Sequence, residues 1–242
     1  MKRYLAIFFA LLFIAYLVFS VTKLSHKPTG TLCERIDLRI YDSLNYGMLT
    51  DEIVLKLLEK YSLSPIGNNM DNINTGQIEK TLVMHPLISG AECYKTNGGV
   101  LKIQIDSRIP ILRIKSQDGS DYYLGSRGEI IDHSSGVAPV PVGTGNISKA
   151  FAKNELLELM EIINNDPFWK AQIQQIHVSN NQELQLVPRV GGHLLVLGPA
   201  ENVRNKLDRL YNFYYKGLNE IGWNKYKSIS VEYNNQIICK KQ

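Results

Sequence analysis

Five histidines, three cysteines and a few carboxylate pairs are the residues of this chain with the types needed for acid–base, nucleophilic or metal chemistry. The histidines are His26, His85, His133, His177 and His193. None stands three or four residues from another histidine or a cysteine in the way a zinc site requires. His177 and His193 fall on expected strands, where they could be cross-strand neighbours. Cys33, Cys93 and Cys239 are odd in number and form no CxxC, so they read as small buried or edge residues. A Cys33–Cys93 pair stays open, because both fall on strands of one small domain. Asp51 and Glu52 suit the positive end of a helix better than a general acid–base pair, and Glu158 and Glu161 fall on the exposed side of a helix. There is no GxSxG, HExxH or Walker loop. Gly143-Thr144-Gly145 follows Pro-rich residues instead of a strong strand and reads as plain loop. The expectation is a chain with no catalytic residue, no cofactor and no metal site, which works by binding.

Two segments could recognise a partner. Tyr211, Phe213, Tyr214 and Tyr215 crowd the end of a long helix. Tyr214 belongs to its buried stripe, and the others are either core or an aromatic patch. In the last strand, Ile229, Val231 and Tyr233 alternate with Ser228, Ser230 and Glu232. At a sheet edge such a strand offers open backbone donors and acceptors to a partner's strand. The expected partner-binding element is therefore Lys227, Ser228, Ile229, Ser230, Val231, Glu232 and Tyr233, with the tail to Cys239 as a secondary candidate.

These segments need a frame. The formal net charge is +4 and the composition is near globular averages, without the clustered basic face of a nucleic-acid binder. Residues 1–3 are a basic tip. Residues 4–21, YLAIFFALLFIAYLVFSV, carry no charge. As a helix they reach about 27 Å, roughly the lipid core. The length and the lack of a small-x-small cleavage site favour a retained single-pass anchor over a removed signal. Lysines and arginines flank both ends, but long C-terminal domains translocate largely regardless of charge. The expectation is a cytoplasmic N-terminus in the cell inner membrane and a bulk on the periplasmic side.

After a polar linker, 22–32, comes a domain expected over 33–109. CERIDLRIY alternates as a strand. TDEIVLKLLEKY is a helix capped by Thr50, with Val54, Leu57, Leu58 and Tyr61 on its buried stripe. Asn74 and Gln77 form a capping-box-like pair for a second helix. Ile88–Lys95 and Val100–Ile109 are strands joined at Asn97-Gly98-Gly99. The rest, 110–242, reads as a second α+β domain on a mostly antiparallel sheet. It has helices over 151–165 and from about Ala200 to Ile221, the latter with Val203, Leu207, Leu210, Tyr214, Leu218 and Ile221 facing in.

The whole layout resembles the FtsQ/DivIB family of bacterial cell-division proteins. A short tip and one anchor precede a POTRA-like strand-helix-helix-strand-strand domain. The family's His-Pro-Leu-Ile motif and Arg-x-Pro boundary appear as His85-Pro86-Leu87-Ile88 and Arg108-Ile109-Pro110. Tyr122-Tyr123-Leu124 through Gly128, and the ending ISVEYNNQIICKK at 229–241, also resemble family elements. Gly125 stands where the family often has Asp, and Ser230 and Glu232 replace an Asp and an Arg common in its last strand. The resemblance implies a non-enzymatic divisome scaffold that binds FtsB-like and FtsL-like membrane proteins by strand addition near the C-terminus. The competing readings are a membrane-anchored POTRA-type chaperone or transport module and a cell-envelope hydrolase, for which no constellation is visible.

Overall fold

The protein is described by a computed structural model at residues 11–20, 30–42 and 47–241. The described part of the expected anchor, 11–20, is helical (α1), with exposed apolar side chains such as Phe13 at 62%. The rest of 4–21, the tip 1–3 and linker residues 22–29 lie outside the described residues. Among the described residues no helix is long and apolar enough to cross a membrane. The chain divides into two compact units, one of residues 1–41 and 50–106, the other of 42–49 and 107–242.

The first unit has strand β1 (Arg35–Tyr41), helices α2 (Asp51–Lys60) and α3 (Thr75–Val83), and strands β2 (Ile88–Lys95) and β3 (Val100–Ser107). The helix starts follow from local chemistry. Thr50 Oγ accepts from the Ile53 N–H and Asn74 Oδ1 from the Gln77 N–H, each satisfying an otherwise orphaned donor. The sheet order is β1-β3-β2, with β1 and β3 parallel from Arg35↔Val100 to Tyr41↔Asp106. The turn before β3 depends on Gly99 (φ +72°), where an added Cβ would stand 2.5 Å from the Leu32 carbonyl oxygen. Val54, Leu58, Ile78 and Leu82 of the helices and Leu101, Ile103 and Ile105 of β3 are buried. Each contributes roughly 1.5–3 kcal/mol by leaving water. Tyr61, expected on the buried stripe of α2, sits at its C-terminal cap and is 43% exposed. Cys33 and Cys93 are buried and unpaired, and Cys239 is also free.

The second unit is built on one nine-stranded sheet. Its strands are β4 (Pro110–Ser116), β5 (Asp121–Gly125), β6 (Ile130–Asp132), β7 (Val142–Gly145), β8 (Ile173–Val178), β9 (Glu183–Pro188), β10 (Leu194–Pro199), β11 (Tyr226–Ser230) and β12 (Ile238–Lys241). The order is β12-β11-β10-β9-β8-β7-β4-β5-β6. The expected mostly antiparallel sheet is mixed: β4–β7, β7–β8 and β10–β11 pair parallel, and the other neighbours antiparallel. Parallel pairs require crossover connections; helices supply those of β7–β8 and β10–β11, and β5 and β6 with the following loop supply that of β4–β7.

The segment around Gly143-Thr144-Gly145, expected as loop, is instead strand β7 in the middle of this sheet. Its glycines are there for space. A Cβ on Gly143 would meet Ile147, Leu112 and Ile114 side chains at 3.3–3.6 Å, and one on Gly145 (φ +96°) would stand 2.0 Å from the Val178 carbonyl oxygen. The apolar alternation that announces a strand is absent because the neighbours leave no room for side chains.

Helices α4 (149–165), α5 (Pro167–Gln172) and α6 (203–221) share a core with the sheet. Asp166 caps α5 by accepting from the Phe168 and Trp169 N–H groups, with Pro167 preset at the first position. Five-residue π segments interrupt α4 at Ala152–Leu156 and α6 at Tyr214–Leu218. Trp169, Leu207, Leu210, Tyr214, Leu218, Ile229 and Val231 are all at most 2% exposed.

Candidate partner-binding edge

The C-terminal corner of the second unit is built by α6, β11 and β12. Ile229 and Val231 drop into the core at 0% exposure and hold β11 in place. β11 pairs parallel with β10, from Leu194↔Ser228 to Val196↔Ser230. The expected edge at Lys227–Tyr233 is therefore corrected. Lys227, Ser228, Ile229 and Ser230 lie on a strand flanked by β10 and β12, and Val231 continues the β10 ladder by donating to the Val196 carbonyl at 2.9 Å. Glu232 and Tyr233 lie beyond the strand, leading into the turn. The turn at Asn234-Asn235, with Asn235 at φ +63°, reverses the chain and lays 238–241 on the outer side of β11. The secondary candidate, the tail, holds the outermost position.

The direction of the backbone groups follows from alternation. The Val231 N–H points to β10, so Ile229 points there too. Ser228 and Ser230 turn their groups towards β12, where their register partners are Lys240 and Ile238. Lys240 and Ile238 thus face back to β11, and Cys239 and Lys241 direct N–H and C=O away from the sheet. A partner strand would find its ladder partners on those two residues.

One side chain pins this arrangement. Arg209 of α6 donates to the Val231 carbonyl at 3.3 Å, to the Tyr233 carbonyl at 2.8 Å and to the Gln236 carbonyl. The three acceptors span the connection between β11 and β12. Beside it, Arg209, Phe213, Lys216, Gln236 and Ile237 line an open groove of about 550 Å³. The segments that form the edge carry apolar and basic side chains: Tyr233 is 53% and Ile238 47% exposed, and Lys227, Lys240 and Lys241 are exposed. Lysines on an edge discourage chance pairing and favour an acidic partner.

Beneath the corner, His193 is 3% exposed and shares a hydrogen bond with the Tyr214 hydroxyl. Tyr214 packs edge-on to Trp169 and Trp223, with ring centroids 5.8 and 5.1 Å apart. Burial lowers the His193 pKa and raises that of the Tyr214 hydroxyl, because neither charged form is solvated there. The aromatic segment divides accordingly. Tyr214 is core, whereas Tyr215 is 68% and Tyr211 42% exposed, the latter still edge-on to Phe168 at 5.1 Å.

The structure does not bring His177 and His193 together as neighbours. His177 lies on β8, opposite Gln185 and Thr144, with Nδ1 3.1 Å from Thr144 Oγ. His193 precedes β10 and belongs to the aromatic core. His85 accepts from the Leu87 N–H through Nδ1, and His133 stands 3.7 Å from Asp132. Glu52 pairs with Lys56 at 2.6 Å, and Glu158 and Glu161 are solvated. Among the described residues no group of three His, Cys, Asp or Glu side chains could hold a metal ion. Sequence reasoning missed Arg209, whose role depends on a contact 22–27 residues away, and undervalued Lys240 and Lys241. The Asn-Asn turn was the available signal for the outer strand.

Comparison with known families agrees with this architecture. A model described as "POTRA-like domain" matches residues 31–106, and one described as "FtsQ/DivIB, C-terminal related" matches 109–240. No curated protein matches the chain closely enough to count as a relative. The second match spans more than half of the chain and takes in the nine-stranded sheet up to Lys240 of β12, so the chain belongs to the FtsQ/DivIB C-terminal related family.

Proposed function

We propose that this protein is a divisome scaffold that binds FtsB-like and FtsL-like membrane proteins through strand addition on the outer side of β12, helping to assemble the septal cell-wall machinery. The observation that carries this reading is the outer side of β12, on which no further strand lies among the described residues. Cys239 and Lys241 point backbone donors and acceptors away from the sheet, next to the exposed Ile238 and Tyr233. A strand laid there gains main-chain hydrogen bonds, and the lysines and the apolar rim select its side chains. Carboxylates on the partner strand complement Lys227, Lys240 and Lys241. In this reading residues 4–21 anchor the chain in the inner membrane, surrounded by lipid, with the two folded units on the periplasmic side.

The test is amide exchange on the full chain in detergent, with and without the extracytoplasmic segment of the FtsB-like protein from the same cell. Slower exchange at Cys239 and Lys241 on complex formation is expected. Binding with unchanged exchange at both residues would refute edge addition. Absence of binding to either division partner would refute the scaffold reading.

A further inference from the structure

Arg209 carries a role that goes beyond filling space on α6. β12 has four residues, of which Ile238, Lys240 and Lys241 expose their side chains and Cys239 is half-buried. Such a strand has little burial of its own to hold it in place, since each exposed side chain forgoes the stabilisation of leaving water. Its pairing with β11 is irregular between Tyr226 and Ser228. The connection that delivers it, 231–237, is mostly exposed. Against this, Arg209 reaches from the helix to three carbonyls at the start, middle and end of that connection: Val231, Tyr233 and Gln236. A guanidinium is suited to this, with five donors in a rigid planar fork; a lysine ammonium is a point donor on a flexible stem.

We propose that Arg209 is the positioning residue of the docking edge: by clasping the 231–237 connection to α6 it keeps β12 ordered and its outward backbone groups in register before a partner arrives. This rests on the reading that β12 receives a partner strand. Ordering a strand at the moment of binding costs free energy that a pre-ordered edge has already met. The clasp therefore acts on affinity without Arg209 touching the partner. Two polar neighbours on α6 bond elsewhere. Lys206 is buried and donates to the Pro199 carbonyl at 2.7 Å, and Asn212 donates to the Asp208 carbonyl of its own helix.

The experiment compares wild type, Arg209→Ala and Arg209→Lys in the full chain in detergent. It reads amide exchange of the free protein first and affinity for the same FtsB-like segment second. In Arg209→Ala, exchange at Ile238 and Lys240, the residues bonded to β11, accelerates about tenfold, while the buried strands β8–β10 stay as protected as before. Partner affinity falls roughly tenfold, about one charge-assisted hydrogen bond, and the slope of affinity against salt stays unchanged. Arg209→Lys recovers less than half of the lost protection. Unchanged exchange at Ile238 and Lys240 overturns the clasp, whether or not the partner binds. A flattened salt slope with unchanged exchange also overturns it, by making Arg209 a direct contact of an acidic partner. General loss of protection in Arg209→Ala, with Arg209→Lys behaving as wild type, assigns a merely structural charge and overturns it as well. Accelerated exchange with no partner binding even in wild type sustains the clasp and sinks the docking reading instead, so the two failures are distinct.

Discussion

A proline scan of β12 separates the outward backbone groups from the inward ones. Cys239→Pro removes an N–H that points away from the sheet and leaves the β11 bonds of Ile238 and Lys240 untouched. Edge strands accept proline on the solvent side, so the free protein loses little stability. In a complex the same change removes one ladder hydrogen bond and leaves a partner carbonyl unpaired. A net backbone bond is worth about 1 kcal/mol, and an orphaned partner group adds about 1–2 kcal/mol. The expected loss is therefore roughly 2–3 kcal/mol, or about 30- to 150-fold in affinity. Calorimetric titration of the FtsB-like segment measures it. Cys239→Ala, which keeps the N–H and trims a half-buried thiol, stays within about threefold of wild type. Lys240→Pro breaks an inward bond to β11 and frays β12 even without partner. Wild-type affinity in folded Cys239→Pro would refute the deduced direction of the backbone groups, and with it the site.

Further outcomes follow from the cores. Gly145→Ala puts a Cβ 2.0 Å from the Val178 carbonyl oxygen at φ +96° and should cost about 2–4 kcal/mol in a urea melt of the second unit; a cost under about 0.5 kcal/mol would contradict β7 as an interior strand. His193 is held neutral by burial, its folded pKa lying below the unfolded value. Stability is full above the unfolded pKa, about 6.5, and falls as pH drops from there towards the folded value, because the unfolded chain takes up a proton first. His193→Gln should shrink this dependence below about pH 6.5, leaving the share of His85, also lowered by burial; an unchanged profile would exclude His193. Burial, with the nearby Glu79 carboxylate, pushes the Cys93 thiol up to about 12, so a maleimide at about pH 8 should modify it only after unfolding; rapid labelling of the native protein would contradict its burial.

The sequence by itself determined the local decisions. Thr50 and Asn74 announce two helix starts, Asn97-Gly98-Gly99 announces a hairpin, and Val203, Leu207, Leu210, Tyr214 and Leu218 mark the buried side of α6. Each depends on residues within one or two turns of each other, where spacing alone fixes which groups meet. Tertiary structure decided the rest. Gly143 and Gly145 lie in a strand because other strands and side chains crowd them. The sheet is mixed because helices carry the chain across it twice and the β5–β6 excursion once. Residues 227–230 look like an edge strand, yet lie inside the sheet because residues 238–241 return to cover them. Strand alternation records which side chains face the core but not which strand lies beside which, since backbone donors and acceptors are the same in every residue. The outermost position, and the arginine that holds it, exist only once distant segments meet.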